Sequence, residues 1–118
     1  MRLLSWNLHG FVGTDGVFDP VRIAEAVHTM RPDVAAFQEV DLRRHGTELL
    51  LPLQAAVGAH SVGAQALGGG QRWYGQLLAS RYPIVEQTVH DTTFRTREPR
   101  RVIEATLRTG GGPIRVLA

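Results

Sequence analysis

The stretch Asp33–Asp41, DVAAFQEVD, constrains this chain more than any other. Val34, Ala35, Ala36 and Phe37 form an apolar run, bounded by Pro32 on one side and by charge on the other. A run apolar on both strand faces reads as a buried central strand of a covered sheet. It ends in Gln38 and Glu39, and on strict alternation Glu39 shares its face with Ala35 and Phe37. A carboxylate at the mouth of a buried strand is costly unless something pairs with it, and a bound cation is the usual partner.

What precedes this strand gives it a context. Met1–Leu8 reads as a first strand, with Leu3, Leu4, Trp6 and Leu8 as its apolar content and Asn7 near its end. Phe11–Phe18, rich in glycine and polar residues, reads as a loop. A helix follows: Asp19 is the expected N-cap, Pro20 suits the first helical position, and Ile23, Ala24, Val27 and Met30 lie on one face. Pro32 is expected to stop it. Strand, helix, strand over this distance makes a βαβ unit with parallel strands and a right-handed crossover. That places Asn7 and Glu39 at the same carboxyl edge, where open α/β sheets bind their ligands.

Composition narrows the class. The 118 residues fit one domain with a modest core. No run is long enough to cross a membrane, and no leader with a cleavage site is seen, so a cytoplasmic location is expected. Without cysteine there is neither a disulfide framework nor a thiolate metal site. The formal charge is +2 and every basic side chain is Arg, an excess that allows a phosphate-bearing partner without requiring one.

The remainder is mostly extended. Glu48–Val57 carries Leu49, Leu50, Leu53 and Val57 at helical spacing, with Pro52 arguing for a short or kinked helix and Gly58 for its end. Ser61–Leu67, Gln76–Ser80, Ile84–His90, Val102–Arg108 and Ile114–Ala118 read as strands, and Asp91–Pro99 as a charged loop. In Val102–Arg108, Ile103, Ala105 and Leu107 face one way and Glu104, Thr106 and Arg108 the other. The glycine runs read as turns, since they lack both GxGxxG spacing and a P-loop Lys-Ser/Thr. Trp73-Tyr74 beside Arg72 hints at an aromatic and basic groove for nucleic acid, while two aromatics at a strand start are also commonly core.

Four segments occur in a telling order: Ser5-Trp6-Asn7-Leu8-His9, Pro32-Asp33 through Phe37-Gln38-Glu39-Val40, Tyr74 through Ser80-Arg81-Tyr82-Pro83-Ile84, and Arg100-Arg101-Val102-Ile103-Glu104-Ala105. Together they resemble the N-terminal half of the endonuclease/exonuclease/phosphatase superfamily of deoxyribonuclease-like phosphoesterases. The resemblance implies an α/β fold, part of a two-layer α/β sandwich in which a βαβ start is followed by mostly antiparallel strands.

It also implies a metal-dependent phosphoesterase in which Asn7 and Glu39 are catalytic residues and metal ligands. The cofactor is then Mg²⁺, with Mn²⁺ as an alternative, and Arg101 binds substrate. The partner is a phosphate-ester substrate, either nucleic acid or a small phosphodiester or lipid headgroup, and no specific protein partner is expected. Gln76 stands where relatives often carry Asn. The family's later Thr-His, Gly-Asp-x-Asn and Ser-Asp-His do not occur, and His9, His28, His45, His60 and His90 match none of them. Those histidines are expected on the surface. The chain then corresponds to the first part of a domain about twice as long, inactive as it stands; the competing expectation is a non-enzymatic half-domain.

Overall fold

The computed structural model describes residues 1–118. It contains seven strands and two helices: β1 (Leu3–Asn7), α1 (Pro20–Met30), β2 (Val34–Asp41), α2 (Leu50–Val57), β3 (His60–Gly69), β4 (Arg72–Ser80), β5 (Ile84–Asp91), β6 (Arg101–Thr109) and β7 (Gly112–Leu117). The class is α/β, as expected. Four strands form one sheet in the order β1-β2-β4-β3, and β5-β6-β7 form a second.

Helix α1 is built as its sequence signals. Asp19 Oδ1 accepts the Arg22 backbone N–H at 3.0 Å, and Pro20 sits at the helix start. The helix stops just before Pro32, as expected. It ends at Met30 because Arg31 turns left-handed (φ 50°), its N–H reaching back to the His28 and Val27 carbonyls. Helix α2 is short, eight residues, as Pro52 suggested. Pro52 occupies the first turn, where its missing N–H has no helical acceptor to lose.

Strands β1 and β2 pair in parallel, with Leu3 opposite Val34 and Asn7 opposite Gln38. Both helices cover one face of this sheet. Ile23, Ala24, Val27, Leu50, Leu53 and Val57 pack on Ala35, Phe37, Val40, Leu77 and Ala79. The other face meets the second sheet, with Val34, Val62, Ala64 and Leu78 against Ile103, Ala105 and Leu107. The half-buried reading of β6 holds, since Ile103, Ala105 and Leu107 are the residues that turn inward.

The alternation expected of β2 breaks before its end. Phe37 lies opposite Leu77 and Val40 opposite Gly75, so Gln38 and Glu39 together face the single residue Gln76. Two residues against one is a β-bulge. Ala35, Phe37 and Val40 therefore share the helix-side core, and Glu39 does not, which corrects the expectation that it shares their face.

A second irregularity lies across β4, where the β3 register shifts between Gln65 and Leu67. There β3 comes so close that a Cβ on Gly75 would lie 1.9 Å from the Ala64 carbonyl oxygen. Only glycine admits this approach.

The turn after β4 is shaped by its own side chains. Ser80 Oγ accepts the Tyr82 N–H at 2.9 Å, and Arg81 pairs with Asp33 at 3.0 Å, tying the turn to the start of β2. No helix is long and apolar enough to cross a membrane.

Candidate active site

The ends of β1 and β2 bring three polar side chains together at the carboxyl edge of the first sheet. Asn7 Nδ2 donates to Glu39 Oε1 at 2.9 Å, and Asn7 Oδ1 accepts the His9 backbone N–H at 3.0 Å. His9 Nδ1 lies 3.1 Å from Glu39 Oε2, so both carboxylate oxygens are engaged. Glu39 remains part-exposed, with 38% of its side chain open to solvent. An aqueous rim and an amide donor stabilise the carboxylate where a dry strand end would not.

Backbone strain is concentrated here. Glu39 has φ 51°, and His9, Gly10 and Phe11 follow one another at φ 46°, 64° and 66°. Left-handed backbone costs an L-residue about 1–2 kcal/mol. Burial of the Phe11 side chain, fully enclosed in the helix-side core, contributes about 1.5–3 kcal/mol and so offsets its own share. The turn is further closed by the Phe11 N–H bonding to the Leu8 carbonyl at 2.9 Å.

Asn7 and Glu39 open onto a cavity of about 180 Å³ whose walls include Tyr74, Gln76, Glu98 and Arg101. Partial burial raises the Tyr74 phenol above its ordinary value, helped by the negative charges of Glu39 and Glu98, so it is a neutral donor at pH 7. Gln76 Oε1 is enclosed and has no hydrogen-bond partner. Buried acceptors left unpaired are rare, and water or an ion commonly satisfies them.

Arg101 lies in the same wall. Its Nη1 donates to Asp91 Oδ1 at 2.9 Å, Thr93 Oγ1 at 3.0 Å and the Arg100 carbonyl at 2.9 Å. One arm of the guanidinium thus pins the 92–100 loop, and its other N–H groups form no bond within the chain. Arg100 instead pairs with Glu98 at 3.1 Å near the surface.

The donor set tests whether a divalent cation fits. Glu39 offers carboxylate oxygen, Asn7 and Gln76 amide oxygen, and there is no thiolate. No group of three or more His, Cys, Asp or Glu side chains lies close enough to hold a metal. Oxygen-rich, carboxylate-poor surroundings suit a hard ion that keeps several waters, such as Mg²⁺, and suit Zn²⁺ poorly.

Some readings change. Trp73 is not part of an exposed groove; it is buried in the helix-side core, and only its neighbour Tyr74 reaches the cavity. His9 lies at the surface as expected, with 68% of its side chain exposed, and is in addition bonded to Glu39. His90 pairs with Glu104 at 2.7 Å on the second sheet and has no link to this edge. Tyr74 and Gln76 reach the site only through the pairing of β4 with β2, which residue spacing does not show. His9 did carry a signal, standing two residues after Asn7 at a strand end.

Comparison with known proteins gives the arrangement a family. Over its full length the chain superposes on an endonuclease/exonuclease/phosphatase from Beutenbergia cavernae, with TM-score 0.78, 26% identity and 37% of that chain covered. It superposes likewise on a family protein from Leptotrichia buccalis, with TM-score 0.71, 22% identity and 54% covered. With TDP2 from Caenorhabditis elegans the TM-score is 0.69 at 20% identity, covering 98% of this chain and 34% of that one. The chain therefore spans between about a third and about half the length of these structures. No curated protein matches it. The sequence profile of the Endonuclease/Exonuclease/phosphatase family matches residues 4–117, nearly the whole chain, and the protein belongs to that family.

Proposed function

We propose that this chain supplies the metal-holding and phosphate-holding part of a phosphoester hydrolase. The observation that carries the reading is the Asn7–Glu39 pair at the carboxyl edge, one carboxylate held by one amide beside an unsatisfied Gln76 oxygen. Glu39 would hold Mg²⁺ or Mn²⁺, with Asn7 fixing the orientation of the carboxylate. A divalent ion in such a site stabilises charge on phosphate oxygens and lowers the pKa of bound water. The neutral Tyr74 hydroxyl and the free N–H groups of Arg101 are the donors left for non-bridging phosphate oxygens.

What the 118 residues do not offer is a second imidazole–carboxylate pair at this edge to move protons. Loss of general acid–base help lowers rates by about 10²–10⁴. The family segments bearing Thr-His, Gly-Asp-x-Asn and Ser-Asp-His have no counterpart here, so these residues by themselves are expected to bind metal without measurable turnover. We read the chain as the N-terminal part of one such domain.

Two measurements test this. Mn²⁺ titration followed by electron paramagnetic resonance should show weak binding that Glu39→Gln removes. A chimera joining this chain to the remaining segment of the Beutenbergia cavernae relative should hydrolyse bis(p-nitrophenyl) phosphate with Mg²⁺ and lose that activity with Glu39→Gln. Equal Mn²⁺ affinity in both forms, or a chimera indifferent to Glu39, would place the metal site elsewhere.

A further inference from the structure

A second cleft, about 640 Å³ in volume, opens beside the Glu39 cavity between the left-handed turn at His9–Phe11 and the 41–45 loop. It is joined to that cavity twice. His9 lines the cleft and bonds to Glu39, while Arg43 lines it and stacks over the Tyr74 ring at 5.1 Å. A ligand in the cleft therefore touches residues that contact the phosphoester site.

Its chemistry is cationic and aromatic. Asp41 is the one carboxylate in its walls, and Arg43 engages it through two bonds of 2.9 and 2.8 Å. The Arg44 guanidinium has no carboxylate partner, so the cleft carries uncompensated positive charge. Phe18 is 43% exposed, a large apolar ring open to water. It lies nearly parallel to the His45 imidazole, with centroids 4.9 Å apart and 19° between the planes. Phe18 meets buried Phe11 edge to face, with centroids 6.4 Å apart and 73° between the planes, which fixes the platform.

The loop is also held in advance of any ligand. Leu42 is fully buried and its N–H bonds to the Trp73 carbonyl at 2.8 Å. Arg72 Nη1 donates to the Arg44 carbonyl at 2.8 Å and to the Arg43 carbonyl at 3.2 Å. A site fixed before binding loses little freedom when occupied.

We propose that this cleft binds the nucleotide flanking the scissile phosphate of a single-stranded nucleic acid, its base stacked on the Phe18–His45 platform and its phosphate on Arg44. A platform beside a cation is the pattern by which single strands are held without sequence readout. A small polyol phosphate has a phosphate for Arg44 but no planar ring to stack on Phe18. The inference rests on the reading of Glu39 as part of a phosphoester site, and the test separates the two.

Binding of a fluorescein-labelled oligothymidylate to the full chain is followed by anisotropy in EDTA, so that no divalent metal enters. Phe18→Ala should weaken binding about tenfold and Phe18→Tyr should restore it, since stacking contributes that much per base. Arg44→Ala should weaken binding and reduce the slope of log affinity against log salt by about 0.7. Inositol phosphates should compete poorly with unlabelled oligothymidylate.

Unchanged affinity in both Phe18→Ala and Arg44→Ala, or equal competition by inositol phosphates, would overturn the proposal. Loss of binding in these variants, alongside Mn²⁺ binding indifferent to Glu39, would uphold the cleft and overturn the metal reading. The converse pattern would uphold the metal reading and remove the cleft.

Discussion

Phe37 and Val40 occupy the same face of β2 although two residues, an even number, lie between them, and both are fully buried among the helices. In a regular strand they would point to opposite faces. The bulge at Gln38–Glu39 absorbs the extra residue and leaves Glu39 with φ 51°. The strand thus keeps its core contacts on both sides of the bulge and turns its carboxylate toward Asn7.

This geometry predicts an inverted mutational order at position 39. In ordinary strand positions Gly is less stable than Ala. Here Glu39→Gly should be more stable than Glu39→Ala by about 1 kcal/mol, because only the alanine has a Cβ to strain. Urea denaturation of the two variants decides it, and an alanine variant equal to or above the glycine one would show that the left-handed backbone carries no strain.

The parallel βαβ start, the capped helix and the polar strand ends were legible because each rests on local chemistry. Asp19 and Pro20 announce α1 in neighbouring residues, and the apolar run of Val34–Phe37 announces a covered strand. The bulge was not legible, because it depends on how Gln76 and Gly75 of β4 meet β2, a match made across about forty residues of sequence. The contact of His9 with Glu39 was not legible for a related reason: it comes from a left-handed turn whose cause, burial of Phe11, lies two residues further on. Pro32 announced the end of α1, but not the left-handed conformation of Arg31 that caps it, which residue type alone does not announce in an arginine.

Asn7→Ala tests the pair from the other side. It removes the donor to Glu39 Oε1 and the acceptor of the His9 N–H together. Loss of a partner that orients a ligand typically costs about 10–100-fold in metal affinity. Mn²⁺ affinity should fall by that order while the urea midpoint moves little. An unchanged affinity would make Asn7 a spectator.

The Asp15–Arg22 pair sets an acid limit on the loop before α1. Hydrogen bonds from Arg22, at 2.7 and 3.1 Å, and from the Val17 N–H hold the Asp15 carboxyl at about 2, below its usual 3.8. Because the folded value lies below the unfolded one, the contribution is complete above pH 3.8 and is lost as pH falls through about 2. The stability difference between the natural chain and Asp15→Asn should therefore close across that window. Urea midpoints measured down the pH series would disprove the pairing if the difference stayed constant.

Leu78 joins the sheets, fully buried against the second sheet in the cluster containing Ile103 and Leu107. Leu78→Ala should cost roughly 2–5 kcal/mol, the range for emptied core sites. Tryptophan fluorescence and far-ultraviolet circular dichroism should report one shared transition at the lower midpoint. Two separated transitions would mean that the sheets fold as independent units.

Gly75 has a consequence at the level of the gene. The Ala64 oxygen occupies the space that any side chain would need there, so the site rejects all replacements by shape alone. Glycine codons share their first two bases and are degenerate in the third. In a saturation library, every change in the first two bases of this codon should be purged even where selection is for expression alone, and every change in the third should pass silently.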